Sequence, residues 1–149
     1  MNSTSSAQPV ILLVEDNPDD EMLARRAFRA ESRDHCMAVA RDGIDAINQA
    51  TGSGRPPSLV LLDLNLPGAD GFQVLEAIRR HAPATTTPVV VLTSSSDEKD
   101  ITRAYSLGAN SYITKPVDFA EFMEVVRQLS EYWLQLNRDG APCAPDAAG

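Results

Sequence analysis

The stretch Val10-Ile11-Leu12-Leu13-Val14-Glu15-Asp16-Asn17-Pro18-Asp19-Asp20 decides the fold. Its five apolar residues run without alternation, the pattern of a short strand buried on both faces. Strands of that kind belong to parallel sheets covered by helices on each side. Two acids end the run. Asn17-Pro18 then reads as an N-cap followed by proline at the first helical position. Asp19, Asp20 and Glu21 fall in the first turn, where the helix dipole favours negative charge. Leu23, Ala24, Ala27 and Phe28 supply an apolar stripe, and the arginines come later in the helix.

The same alternation continues along the chain. Residues 35–40 read as a second strand, and Asp42-Gly43 turns into a short helix over 44–50. Residues 51–57, rich in Gly, Ser and Pro, are a loop. Strands are predicted at 59–62, 89–92 and 111–114. A turn around Leu66-Pro67-Gly68 and Asp70-Gly71 leads into a helix over 72–80. A helix over 97–107 stops at Gly108, a favoured C-cap residue, and Asp118 caps a last helix running to about residue 136. Strands alternating with helices predict βα units around one parallel sheet, hence an α/β domain over 10–136. Residues 1–9 and 137–149 are expected to be disordered.

Composition narrows the function. The 149-residue chain is of single-domain size, and its 43% apolar and 23% charged residues are those of a soluble globular protein. With 21 acids against 13 bases its net charge is −8. No basic cluster is present to neutralise phosphates, so direct nucleic-acid binding is not expected. Cys36 and Cys143 form no metal knuckle or disulfide framework, which points to a reduced, cytoplasmic setting. The polar N-terminus does not read as a signal peptide or an anchor, so neither is expected, and no apolar run is long enough to span a bilayer.

Glu15, Asp16, Asp63, Thr93 and Lys115 each follow or end an apolar run. In open α/β sheets the carboxyl ends of the strands form the ligand crevice, so neighbouring strands would bring these groups together. A carboxylate ending a buried strand can be a nucleophile toward phosphorus, though an isolated Asp there is more often a turn former. Glu15 and Asp16 read alone as solvated loop charges. Facing Asp63, they require a proton or a cation, and a hard oxygen cage with room for water suits Mg²⁺. Lys115 is either a surface charge or the partner of phosphoryl oxygens. Thr93 is either a strand-end hydroxyl or a donor to that group. Gly52-Ser53-Gly54-Arg55 precedes a strand, so it is no Walker-type loop, and neither His35 nor His81 has a catalytic-base context.

Jointly, Val14-Glu15-Asp16-Asn17-Pro18, Leu61-Leu62-Asp63-Leu64-Asn65-Leu66-Pro67 with Asp70-Gly71, Val91-Leu92-Thr93-Ser94 and Tyr112-Ile113-Thr114-Lys115-Pro116 resemble the receiver domain of two-component response regulators. The resemblance covers residues 10–136. It implies the flavodoxin-like (βα)5 fold, a doubly wound sandwich with strand order 2-1-3-4-5. It implies that Asp63 accepts a phosphoryl group from a sensor histidine kinase, and that Asp16, Asp63 and the Asn65 carbonyl hold Mg²⁺, with Glu15 reaching it through water. Thr93 and Tyr112 would be the switch pair, with Asn65 and Ser95 tuning the rate of hydrolysis. Such a protein promotes only its own phosphorylation and dephosphorylation. A pseudo-receiver, using the fold as a binding or dimerisation module without phosphorylation, is the alternative.

Ala40-Arg41-Asp42-Gly43, Thr93-Ser94-Ser95, Ala109-Asn110 and the pair Tyr132-Trp133 add a narrower likeness, to the single-domain regulators paired with bacterial phytochromes. That likeness implies a bacteriophytochrome kinase as partner, an unknown downstream protein and output by protein contacts. Phe122, Val125, Val126, Leu129, Trp133 and Leu136 recur at helical spacing. Their first half should cover the core. An apolar extension with a Trp marks an association surface, so a homodimer using Phe122, Leu129, Trp133 and Leu136 is expected.

Overall fold

The computed structural model describes residues 10–31, 35–52, 56–81 and 84–136; the segments expected to be disordered lie outside them. The elements are β1 (Val10–Val14), α1 (Pro18–Arg29), β2 (Cys36–Ala40), α2 (Gly43–Thr51), β3 (Leu59–Leu62), α3 (Gly71–Arg80), β4 (Val89–Thr93), α4 (Glu98–Ser106), β5 (Ser111–Thr114) and α5 (Phe119–Leu129). All neighbouring strands pair in parallel, in the order 2-1-3-4-5 that the resemblance implied.

The two-residue period of a strand sends alternate side chains to opposite faces. Leu12, Val14, Val60, Leu62, Val89 and Val91 meet α2, α3 and α4 through Ala46, Ala50, Val74, Leu75, Ile78 and Ala104. Ile11, Leu13, Leu59, Leu61, Val90 and Leu92 meet α1 and α5 through Ala24, Ala27, Phe28, Phe122, Val126 and Leu129. Each buried Val, Leu, Ile or Phe among them stabilises the fold by about 1.5–3 kcal/mol relative to exposure. Strand order turns back between β1 and β3, so the crevice opens where these two strands end.

Acids and amides start the helices at that same edge. Asn17 accepts from the Asp19 and Asp20 N–H groups, and Asp70 and Gln73 form a reciprocal capping box. Asp42, Asp97 and Asp118 cap α2, α4 and α5. Helices α2 and α3 therefore begin one residue before the predicted starts, and Asp97 is a cap rather than the first residue of α4. Gly108 has φ +105°, which suits the predicted stop.

Two expectations need correction. The last helix is not uniform: α5 ends at Leu129 and the chain continues in wider π-helical winding over Ser130–Leu136. Cys36 is disulfide-bonded, contrary to the reading of the cysteines without a bridge; Cys143 lies outside the described residues. Spacing says little about a lone pair of cysteines, because closure depends on tertiary approach. No helix among the described residues is long and apolar enough to cross a membrane.

Candidate functional site

The sheet itself aims the site residues. The Glu15 N–H donates to the Ala40 carbonyl at 2.9 Å, Asp63 to Val14 at 3.1 Å and Lys115 to Thr93 at 2.7 Å. The ladder thus runs one residue past β1, β3 and β5, fixing where Glu15, Asp63 and Lys115 leave the backbone. Asp16 is exposed beside them, while Glu15, Asp63 and Thr93 are buried.

Asp63 is held through both oxygens. Thr93 Oγ1 donates to Oδ1 at 2.9 Å and the Asn65 N–H donates to the same oxygen at 3.1 Å. Lys115 Nζ donates to Oδ2 at 3.0 Å, and also to Glu15 Oε1 at 2.7 Å and Asp20 Oδ2 at 2.9 Å. Glu15 Oε2 accepts from the Asn17 N–H at 3.2 Å. One ammonium thus serves three carboxylates.

Burial pushes the Glu15 carboxyl up to about 7, against the downward pull of Lys115. For Lys115, burial alone would lower the pKa, but the bonds to Glu15 and Asp20 and the charge of Asp63 carry it above the ordinary lysine value. The site is short of positive charge. Glu15, Asp16 and Asp63 each offer a carboxylate oxygen, all within 4.8 Å of one another. Three hard, convergent oxygens beside an open face fit a divalent cation such as Mg²⁺.

The structure brings together Glu15, Asp16, Asp63, Thr93 and Lys115, and places Asn65 next to Asp63 through its N–H. Tyr112 sits one layer away: half-buried, its hydroxyl donates to the Ser95 carbonyl at 2.9 Å. Ser95 itself turns to α4, donating from Oγ to Asp100 Oδ2 at 2.7 Å. Phe122 and Leu129, expected at a dimer interface, are buried in the chain's own core, and Trp133 packs against the same cluster. The Leu136 side chain lies outside what the structure describes.

Asp20 was missed as a site residue. Its place in the first turn of α1 suits a partner of the helix dipole, and nothing in the local pattern shows that Lys115 reaches it. Gly43 does more than turn the chain. Its N–H donates to the Pro67 carbonyl at 3.0 Å, and a Cβ there would lie 1.7 Å from the Ala69 carbonyl oxygen. The start of α2 therefore braces the loop that follows Asp63.

This geometry coincides with a family match: the model of the response regulator receiver domain matches residues 11–127. The chain belongs to that family. It is 43% identical over 137 residues to the "Probable methanogenesis regulatory protein FilR2" of Methanothrix harundinacea, covering 89% of this chain and 88% of that one. Response regulator Rcp1 of Synechocystis sp. is 36% identical over 140 residues, 91% of this chain and 95% of Rcp1. The Mn²⁺-bound form of Rcp1 superposes with a TM-score of 0.79 at 35% identity, over 91% of this chain and 99% of that one. The phosphorylated cyanobacterial phytochrome response regulator RcpA gives 0.82 at 36% identity, over 89% and 98%. The receiver domain described here thus has phytochrome response regulators among its relatives.

Proposed function

We propose that this receiver domain accepts a phosphoryl group on Asp63 from a sensor histidine kinase, in Mg²⁺-dependent two-component signalling. The observation that carries the reading is Asp63 itself. It is buried at the switch point of the sheet, one oxygen held by Thr93 and Asn65 and the other by Lys115. Glu15, Asp16 and Asp63 would hold the cation, with the Asn65 carbonyl beside them. The cation, when bound, supplies positive charge that screens the acids from the incoming anion.

The chain's own groups do the rest. Asp63 attacks phosphorus as the bond to the donor nitrogen breaks. Lys115 then pairs with the phosphoryl oxygens, and the Thr93 hydroxyl turns from carboxylate to phosphoryl acceptor. Tyr112 follows through the loop that carries Ser95, and Asn65 and Ser95 bear on the rate of hydrolysis. Phosphorylation would bias a two-state surface at β4, β5 and α4, with output through protein contacts in the cytoplasm.

Incubation with Mg²⁺ and acetyl phosphate, followed by intact mass, tests this. One adduct is expected on the wild type and none on Asp63→Asn; equal labelling of the variant refutes the assignment. The likeness to Rcp1 and RcpA supports a bacteriophytochrome as the donor. Light-dependent phosphotransfer from such a kinase tests that, and a light-independent donor preferred over it rejects it.

Two copies would associate through the open groove between α4, β5 and the end of the last helix. Tyr105 and Tyr132, 49% and 58% exposed, border it with Tyr112, Ile113 and Trp133. Exposed aromatics around one groove favour association, and this patch replaces Phe122 as the contact surface.

A further inference from the structure

Lys115 has three N–H groups, and all three go to carboxylates: Glu15, Asp20 and Asp63. Glu15 and Asp63 also belong to the oxygen trio that fits a cation. Ammonium and metal therefore draw on the same two carboxylates. Asp20 stands apart from that competition. It comes from α1 and lies outside the trio. Its side chain is 38% exposed, against 5% for Glu15 and 9% for Asp63. Beyond Lys115 lies a small cavity whose walls Leu23, Leu92, Phe119 and Phe122 offer no acceptor, and whose carboxylates are Glu15 and Asp20 themselves. An ammonium repelled by a metal ion has one carboxylate left to hold.

We propose that Asp20 is a positioning residue for Lys115: it retains the ammonium when a cation fills the Glu15–Asp16–Asp63 trio, and releases it to the phosphoryl group on Asp63. The second half rests on the acceptor reading above. The half-exposed Asp20 is the partner most easily surrendered, because water takes over its solvation. Without it, Lys115 stays on Glu15 and Asp63 and opposes metal entry.

Calorimetric titration with Mg²⁺ alone tests the first half. Asp20→Asn should weaken binding by about fivefold to tenfold, a loss the Coulomb energy of one half-screened contact supports. Asp19→Asn removes the same formal charge next door without touching Lys115, and should change binding less than about twofold. Asp20→Glu should restore it. Equal affinity in Asp20→Asn and wild type, or equal losses in the Asp19 and Asp20 variants, overturns the proposal.

The second half is read from the lifetime of the acetyl phosphate adduct. With Asp20 no longer competing for Lys115, the Asp20→Asn adduct should outlast the wild-type one severalfold. Decay at the wild-type rate overturns the hand-over. A wild type that binds Mg²⁺ but takes no adduct refutes the acceptor role of Asp63, while the titration still decides what Asp20 does to Lys115.

Discussion

Glu15→Gln should make the metal-free protein more stable at neutral pH. The Glu15 side chain is only 5% exposed, and burial raises its pKa from 4.5 to about 7. Between those values the folded chain binds more protons than the unfolded one, so stability falls as pH rises from 4.5 to about 7 and then levels off. At pH 8 the penalty for ionising this buried carboxylate comes to about 3 kcal/mol, with the pull of Lys115 already included. Glutamine imitates the protonated acid and removes the penalty. In urea titrations with EDTA, the variant should exceed wild type by up to about 3 kcal/mol at pH 8, shrinking by about 2 kcal/mol at pH 5.5. Saturating Mg²⁺ should nearly cancel the difference, since a hundredfold excess over Kd stabilises wild type by about 2.7 kcal/mol. A variant no more stable than wild type at pH 8, or a difference independent of pH, refutes the reasoning.

Gly43→Ala drives a methyl into the Ala69 carbonyl; chemical denaturation should show a loss of at least about 3 kcal/mol, together with poorer labelling of Asp63. Arg79 donates to the carbonyls of Gly108 and Thr87 at 2.9 and 2.6 Å and to Asn110 Oδ1 at 2.7 Å, tying α3 to the segment that enters β4 and to the one that enters β5. Arg79→Met should cost about 2–3 kcal/mol in urea, with the phosphoacceptor chemistry retained. Ser130 Oγ is buried with no partner among the described residues, so Ser130→Ala should raise the melting temperature or leave it unchanged. Light scattering should find a dimer that Trp133→Ala weakens at least tenfold; a wild-type monomer at high concentration rejects the groove as an interface.

Much of the fold was legible because it rests on local rules. Apolar runs mark β1 to β4, the shorter pair Tyr112-Ile113 marks β5, and β1, β3 and β5 end where expected. Asn17 and Asp118 are recognisable as caps from residue type and position, whereas Asp42 and Asp70 read as turn residues and Asp97 as the first residue of its helix. The turn from α5 into wider winding was not legible, since the apolar spacing of 122–136 fits an ordinary helix equally well. For Phe122 and Leu129 the spacing fits both a core face and an interface, because it shows that a face is apolar without showing what covers it; the structure buries both.

The chain alone determined which chemical groups stand at the ends of buried strands, because strand length and side-chain alternation are written in neighbouring residues. Only the tertiary structure decided how those groups share protons and charge. That Lys115 is divided among Glu15, Asp20 and Asp63, which lie 100, 95 and 52 residues away, follows from parallel pairing across the sheet and the docking of α1. No local pattern encodes a distance between segments so far apart. It is set by which strands lie side by side and by how closely the helices pack upon them.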